Sequence, residues 1–277
     1  MSRIRRLAHR AARASAAAAP HAVREVALAL ATRSADGPTL LPGPPEGPVL
    51  VLAPHPDDET IGAGGTIARH AARGDEVVVV VATSGEATTG GRIRHGSGRL
   101  AAAREAECRA ACVDLGVTMA PVFCRLPDGR LGEAVDELAG ALAEQGAHAS
   151  VVYAPTVLDP HRDHRAANAA LVRAGLRAEV LGYEVWSPAP VDVLVDVGEV
   201  WADKERALRR YATALASVDY VRAAAGLAAY RSASCGLGGV GWAEGFVRLD
   251  PATHAELVTR AGLLAWTGDG GPAGPST

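Results

Sequence analysis

Val49-Leu50-Val51-Leu52-Ala53-Pro54-His55-Pro56-Asp57-Asp58-Glu59-Thr60 is an apolar run that stops abruptly at a cluster of imidazole and carboxylate side chains. The run has the length and branched content of a strand buried on both faces, and Ile61 to His70 reads as the helix that follows. In open α/β sheets ligands bind beyond the carboxyl ends of the strands, where this reading puts His55, Asp57 and Asp58. A helix start accounts for one acid, because Asp58 or Thr60 can cap backbone N–H groups while Pro56 fixes the turn. It leaves His55 and the second acid without a structural task.

A second cluster answers the first. Ser150-Val151-Val152-Tyr153-Ala154-Pro155 is another short strand, and it runs into Thr156-Val157-Leu158-Asp159-Pro160-His161-Arg162-Asp163-His164, with a helical pattern from Arg165 onward. If this turn opens a helix, His161 and His164, three apart, share a face. Two strand ends that each carry histidine and aspartate suit a hydrolytic zinc site, which takes three nitrogen or oxygen ligands and keeps a fourth position for water. His55, one aspartate and one distant histidine meet that count. The other aspartate of the Asp57-Asp58 pair would then be the general base, and the histidine that is not a ligand would stabilise the oxyanion.

These residues resemble a known family. Ala53-Pro54-His55-Pro56-Asp57-Asp58-Glu59 is similar to the AHPDDE motif of the PIG-L/LmbE-like zinc N-deacetylases, and His161-Arg162-Asp163-His164 is similar to their HPDH motif. The resemblance implies Zn2+ held by His55, Asp58 and His164, with Asp57 as general base and His161 stabilising the tetrahedral intermediate. Asp163 would orient a ligand from behind. Pro54 and Arg162 are the departures, and neither replaces a group with a chemical role. The family's R-x-x-E resembles Arg104 and Glu107, implying that Arg104 contacts substrate; from spacing alone the two would pair as a solvated ion pair. Leu126 to Leu131 is a turn by its chemistry, and Asp128 in it is either a turn residue or the family's substrate-binding acid. Gly85-Glu86 makes Glu86 a further candidate for substrate contact. Lys204 to Tyr211 resembles the family's K-x-x-A-L-x-x-Y segment. Tyr230-Arg231 and Trp242 to Phe246 resemble C-terminal elements that border the family's pocket, although Arg231 and Glu244 would equally serve as a structural ion pair.

The rest of the chain agrees on fold class. Glu76 to Thr83 is the clearest strand, Leu100 to Leu115 a helix stopped by Gly116, and Leu131 to Gln145 another helix. Strands alternating with helices from Val49 to about Val185 predict an α/β fold with a doubly wound, mostly parallel, Rossmann-like sheet and a smaller C-terminal α/β extension. Glu179 to Trp186 and Val191 to Val197, joined through Pro188 and Pro190, are expected to leave the parallel register, and Val200 to Ala225 to be helical. The expected division is residues 1–47 as a basic segment and linker, 48–265 as the deacetylase-like domain, and 266–277 as a flexible tail. Within the first segment Leu40 to Pro48 reads as linker, and the alanine- and arginine-rich stretch before it as a partly ordered helix or a membrane-surface or partner contact. Gly85 to Gly98 reads as either a substrate loop or a plain surface excursion.

Composition excludes other classes. A formal net charge of −3 in 277 residues leaves no basic footprint for nucleic acid, and no run approaches the ~20 apolar residues of a membrane span. Without a secretory h-region, Cys108, Cys112, Cys124 and Cys235 are expected to be reduced and the protein cytoplasmic. The expected activity is removal of an N-acyl group, most simply acetyl, from a small amino sugar or its conjugate. One alternative is an amidase acting on a thiol-sugar conjugate. Another is a non-enzymatic nucleotide- or phosphate-binding module using Gly62 to Thr66 as an anion loop, although that cluster lacks the spacing of either standard phosphate loop.

Overall fold

The computed structural model describes residues 25–31, 37–87, 98–234 and 236–262. Cys235, the stretch 88–97, the first 24 residues and the tail lie outside the described residues, as does most of the basic segment. In chain order the elements are α1 (residues 25–31), β1 (Thr39–Leu41), β2 (Val49–Ala53), α2 (Asp58–Arg73), β3 (Val77–Thr83), α3 (Gly98–Asp114) and β4 (Val122–Leu126). There follow α4 (Val135–Gln145), β5 (Val151–Pro155), α5 (Arg162–Ala174), β6 (Glu179–Tyr183) and β7 (Val193–Asp196). The chain continues through α6 (Trp201–Leu208), α7 (Ala212–Leu215), α8 (Tyr220–Ala233), β8 (Ala243–Leu249) and α9 (Pro251–Arg260).

The strands form one sheet in the order β1-β7-β8-β6-β5-β2-β3-β4, and β8 alone runs against its neighbours β6 and β7. Both faces are covered, which explains the uninterrupted valine runs. Leu50, Leu52, Val78 and Val80 pack with α1, α4, α5 and α9, whereas Val49, Val51, Val77 and Val79 pack with α2, α3 and α6. From β2 the chain winds outward through β3 and β4, then returns to the other side of β2 as β5 and continues to β6. The winding therefore reverses between β2 and β5. Loops leaving adjacent strands at such a switch point part to opposite faces and open a crevice between them. The two motif loops follow β2 and β5.

Helix α2 lies close to its neighbours because its glycines allow it. A Cβ built on Gly62 would stand 2.2 Å from Cδ2 of Tyr183, and one on Gly65 would stand 2.6 Å from Cβ of Val197. The N–H groups of Gly65 and Thr66 donate to the buried Glu244 carboxylate at 2.8 and 2.7 Å, and Lys204 donates to the same carboxylate (2.6 Å) and to the Ile61 carbonyl (2.8 Å). The glycine cluster is thus packed helix rather than an anion loop.

Several expectations need correction. β6 stays parallel, paired with β5 from Val151↔Glu179 to Pro155↔Tyr183, because Pro188 and Pro190 fall beyond its end. β7 runs parallel to β1 and meets only β8 antiparallel. Leu40, read as linker, belongs to the three-residue edge strand β1. The helix expected over 200–225 is divided into α6, α7 and the start of α8, and Asp219 opens α8 by accepting from the Arg222 N–H at 3.0 Å. β4, half-buried and irregular in its pairing to β3, carries too weak an apolar pattern to be read from sequence. Residues 25–31 do lie on the domain, with Val26 and Leu30 in the core.

Candidate active site

The Asp57 backbone has φ 128° and ψ −28°, a conformation that costs a non-glycine residue about 1–3 kcal/mol and persists only where its surroundings hold it. The hold is visible. Its N–H donates to Oε2 of Glu59 (3.2 Å), and its carbonyl accepts from Thr60 and Ile61 at the start of α2. Glu59 is itself buried, accepting from Thr60 and from the Tyr211 hydroxyl. Arg104, reaching in from α3, donates to the Pro56 carbonyl (2.8 Å) and to Oδ2 of Asp57 (3.2 Å).

Asp58 occupies the centre. Its Oδ2 accepts from the His55 N–H (2.9 Å) and stands 3.0 Å from Nδ1 of His55 and 3.1 Å from Nε2 of His164. The far nitrogen of His55 faces two more acids, Oδ1 of Asp128 at 3.3 Å and Oδ2 of Asp163 at 3.2 Å. Asp163 also accepts the N–H groups of Gly129 (2.7 Å) and Leu131 (3.1 Å), tying the Asp128 turn to the β5 loop. His161 caps α5, its Nδ1 accepting from the Asp163 N–H at 3.2 Å. Arg162 occupies the first helical position, where proline is also favoured, and its side chain is exposed.

His164 is the anomaly at the centre of the site. It is fully buried, and neither ring nitrogen has an aligned hydrogen bond, although Asp58 lies 3.1 Å from one and Asp159 lies 3.2 Å from the other. Buried imidazole nitrogens that lack an aligned hydrogen bond and converge with a carboxylate oxygen suit a metal ion. Electrostatics agrees. Burial disfavours a proton on His164, yet the charge of Asp58 and the contact with Asp159 outweigh it and hold the group up at about 9. His55 is raised in the same way by Asp128, Asp163 and Asp58 against burial. A dication in place of those two protons would leave the charge of the cluster unchanged, so the residues present fit a divalent metal.

The two adjacent acids diverge. Burial pushes the Asp57 carboxyl up to about 7, with Asp58 and Glu59 adding to the rise and Arg104 and His55 opposing it. Burial acts on Asp58 too, but the charge and contacts of His164 and His55 hold it well below the usual carboxylate range. Burial and the neighbouring His55 and His164 pull His161 down to about 4, so it is neutral near pH 7.

All this opens into a cleft of about 560 Å³. His55, Asp57, Asp58, Arg104, Asp128 and His161 line it, while Asp163 and His164 lie buried behind. Glu86 is half-buried and does not line the cleft, although Ala87 does, donating its N–H to Oδ2 of Asp128 at 2.6 Å. Glu107 accepts from Thr213 rather than pairing with Arg104. The expected Arg231 and Glu244 pair is exchanged for two others: Arg231 binds Glu184 and Glu244 binds Lys204.

Sequence reasoning missed Asp159, whose Oδ1 accepts the backbone N–H of His161 (2.9 Å) and whose Oδ2 accepts the backbone N–H of Trp186 (3.2 Å) while facing His164. Its position two residues before His161 was the available signal. Trp186, Ser217 and Tyr220, which complete the cleft, come from loops and a helix start far along the chain and carried none.

The model of the family described as PIG-L, GlcNAc-PI de-N-acetylase, matches residues 50–175. The 1D-myo-inositol 2-acetamido-2-deoxy-alpha-D-glucopyranoside deacetylase of Rhodococcus erythropolis is 31% identical over 170 residues, 50% of this chain and 58% of that protein. The chain thus spans little more than half the length of that relative. Among solved structures, the conserved protein TT1542 of Thermus thermophilus is 31% identical with a TM-score of 0.61, over 73% of this chain and 94% of that one. GalB, the 4-carboxy-2-hydroxymuconate hydratase of Pseudomonas putida, superposes with a TM-score of 0.60 at 23% identity over 73% of this chain and 95% of its own, a likeness of fold alone.

Proposed function

The chain belongs to the PIG-L family, and from that premise we propose that it is a metal-dependent hydrolase that removes the N-acetyl group from an amino sugar or amino-sugar conjugate. The same fold carries a hydratase, so the reaction is argued from the side chains and not from the architecture.

In this reading His55, through Nδ1, and Asp58 and His164, through Oδ2 and Nε2, hold the metal, with zinc the expected ion. Bound there, it supplies Lewis acidity, polarising a carbonyl and acidifying water at neutral pH. Asp57 accepts the proton of the water that attacks the amide carbonyl, and a carboxyl titrating at about 7 can both take that proton and return it to the leaving amine. His161 accepts the Asp163 N–H at Nδ1, so its own proton sits on Nε2, free to donate to the developing oxyanion. Asp163 and Asp159 orient His55 and His164 from behind. Arg104 and Asp128 line the cleft wall, and in this reading they would meet the sugar hydroxyls. The C–N bond breaks, a C–O bond forms, and the products are acetate and a free amine.

The observation that carries the proposal is the buried His164, with neither nitrogen in an aligned hydrogen bond and carboxylate oxygens at 3.1 and 3.2 Å. Its test is the metal content of the wild type, His164→Ala and Asp57→Asn, together with amine release from N-acetylglucosamine and its glycosides. The expected result is about one zinc per chain, lost in His164→Ala and retained in Asp57→Asn, whose turnover falls about a hundredfold or more. Undiminished turnover in Asp57→Asn, or a metal-free wild type, would overturn it.

A further inference from the structure

The loop after β5 is closed from behind by one side chain. Asn168, on α5 one turn beyond His164, is buried and does not line the cleft. Its Nδ2 donates to the carbonyl of Pro155, the last residue of β5, at 2.9 Å, and to the carbonyl of His164, in the first turn of α5, at 3.0 Å. Those two carbonyls flank the stretch 156–163, which carries Asp159 and His161. The amide therefore bridges the strand that enters the loop and the helix that leaves it, and one end of the bridge is the backbone of His164 itself.

The bonds also fix which way round the amide sits. Carbonyl oxygens only accept, so the two that face Asn168 require its NH2 group, and Oδ1 is left facing Nε2 of His254 at 2.8 Å. His254 must then carry a proton on Nε2 and donate it. Burial, which pulls this imidazole down to about 4, leaves it a neutral donor near pH 7. His254 stands 86 positions from Asn168, on α9, outside the residues 50–175 that match the family model. Leu257 and Val258 seat α9 in the core that Ala166, Ala169 and Ala170 of α5 also enter. Apolar side chains and a cavity of about 270 Å³ otherwise surround His254, and among the described residues its ring makes this one hydrogen bond. An aliphatic side chain would fill the place without the cost of burying a polar ring, so what histidine supplies there is the N–H that holds Asn168.

We propose that Asn168, oriented by His254, is a positioning residue for His164: it sets the spacing between the end of β5 and the start of α5, and with it the approach of the imidazole to Asp58. The proposal rests on the metal-dependent reading above and extends it to the C-terminal helix. Ligands held at a fixed separation bind a metal more tightly than ligands that must first be gathered, so the bridge is expressed in metal affinity.

The test measures zinc affinity by competition with a chelator of known affinity, beside urea unfolding of the same proteins without metal. Asn168→Leu is close in volume and removes all three bonds. Leu257→Ala loosens α9 and touches none of them. The zinc dissociation constant should rise about tenfold or more in Asn168→Leu and stay within about twofold of the wild type in Leu257→Ala, whatever each costs in stability. His254→Gln, whose amide can donate from the place of Nε2, should bind zinc as the wild type does, whereas His254→Phe should bind it several-fold more weakly. His254→Phe keeps Asn168 in place and decides the question if Asn168→Leu does not fold. Undiminished affinity in the variants that break the bonds, equal losses in Asn168→Leu and Leu257→Ala, or a His254→Gln protein no better than His254→Phe overturns the proposal. A wild type that binds no zinc overturns the metal reading and this extension together; a wild type that binds zinc no more tightly than Asn168→Leu overturns the extension alone.

Discussion

Replacing Gly62 by alanine asks whether close contact between α2 and the sheet is a constraint that the sequence must respect. The added methyl would stand 2.2 Å from Cδ2 and 2.8 Å from Cγ of Tyr183. Tyr183 is fully buried and donates its hydroxyl to the Leu52 carbonyl at 2.7 Å, so the ring cannot turn aside without giving up that bond. Alanine gains ~1 kcal/mol over glycine in a helix interior. Overpacking a tight core costs about 1–3 kcal/mol, and a buried hydroxyl left without a partner costs about 1–3 kcal/mol more. The expected net loss is about 1–5 kcal/mol, or roughly 2–20 °C in Tm for a domain of this size. Gly140 is the control: it lies exposed on α4, and a Cβ there meets nothing within 4 Å. Gly140→Ala should therefore gain about 0.5–1 kcal/mol. Urea unfolding of both variants, at equal metal loading, measures the contrast. A Gly62→Ala protein as stable as the wild type would refute the packing argument and reopen the reading of Gly62 to Thr66 as a binding loop.

Two further outcomes follow from buried titratable groups away from the cleft. His254 pairs with Oδ1 of Asn168 at 2.8 Å, and burial pulls it down to about 4 from its ordinary 6.5. The unfolded chain takes up the proton first, so this stability is complete above the ordinary value and is lost as pH falls toward the folded one, by up to about 3 kcal/mol. His254→Gln should flatten that part of the profile of urea midpoint against pH, and an unchanged slope would exclude His254 as its source. Arg231 and Glu184 form a buried ion pair that also binds the Ala189 backbone. Arg231→Met leaves Glu184 charged and buried, with an expected loss of about 3–5 kcal/mol, much of it recovered in Arg231→Met/Glu184→Met. Chemical denaturation of the double-mutant cycle would show additive losses if the two groups did not interact.

What the sequence disclosed and what it withheld divide along physical lines. Valine runs buried on both faces and a helix after each strand are properties of contiguous residues, so the parallel sheet was legible. So were the two loops, because each keeps its histidine and aspartates within ten residues. Strand order was not written locally, and only the reversal between β2 and β5 brings His55 beside Asp163, 108 positions away. Partner choice among buried ions was equally hidden. Glu244, Lys204, Glu184 and Arg231 are mutually plausible pairs until the tertiary position of each is known. Trp186 and Tyr220 had no local pattern at all; the Trp186 backbone N–H is held by Asp159 on a different loop, and Tyr220 meets the Trp186 indole edge-on.

The Asp57-Asp58 pair shows how neighbouring acids acquire opposite characters. Both sit at the amino end of α2, where the helix macrodipole favours the charged carboxylate by about 1 kcal/mol, less than one pKa unit. Were that the governing effect, both would be depressed. Asp57 instead stands near 7, more than the dipole can offset, because burial is reinforced by two like charges and relieved mainly by Arg104. Asp58 is buried as deeply, yet it faces two imidazoles and is depressed. The difference lies in direction: the unusual φ of 128° at Asp57 turns its side chain toward the cleft and Arg104, while Asp58, in the first turn of the helix, points at His55 and His164. Environments that drive two acids apart suit them to different work, which under the proposed function is to move a proton at Asp57 and to hold a cation at Asp58. A substitution that relaxed φ at residue 57 should bring the two acids back toward each other, but Asp57→Gly would remove the carboxylate along with the strain. Glu59→Gln is the cleaner perturbation, because Glu59 holds the Asp57 N–H and adds to the charge that raises its carboxyl. With that charge gone Asp57 should lose its proton at lower pH, and the acid limb of the turnover profile should move the same way. A limb that stayed in place in a folded, metal-loaded Glu59→Gln protein would mean that Glu59 does not act on Asp57.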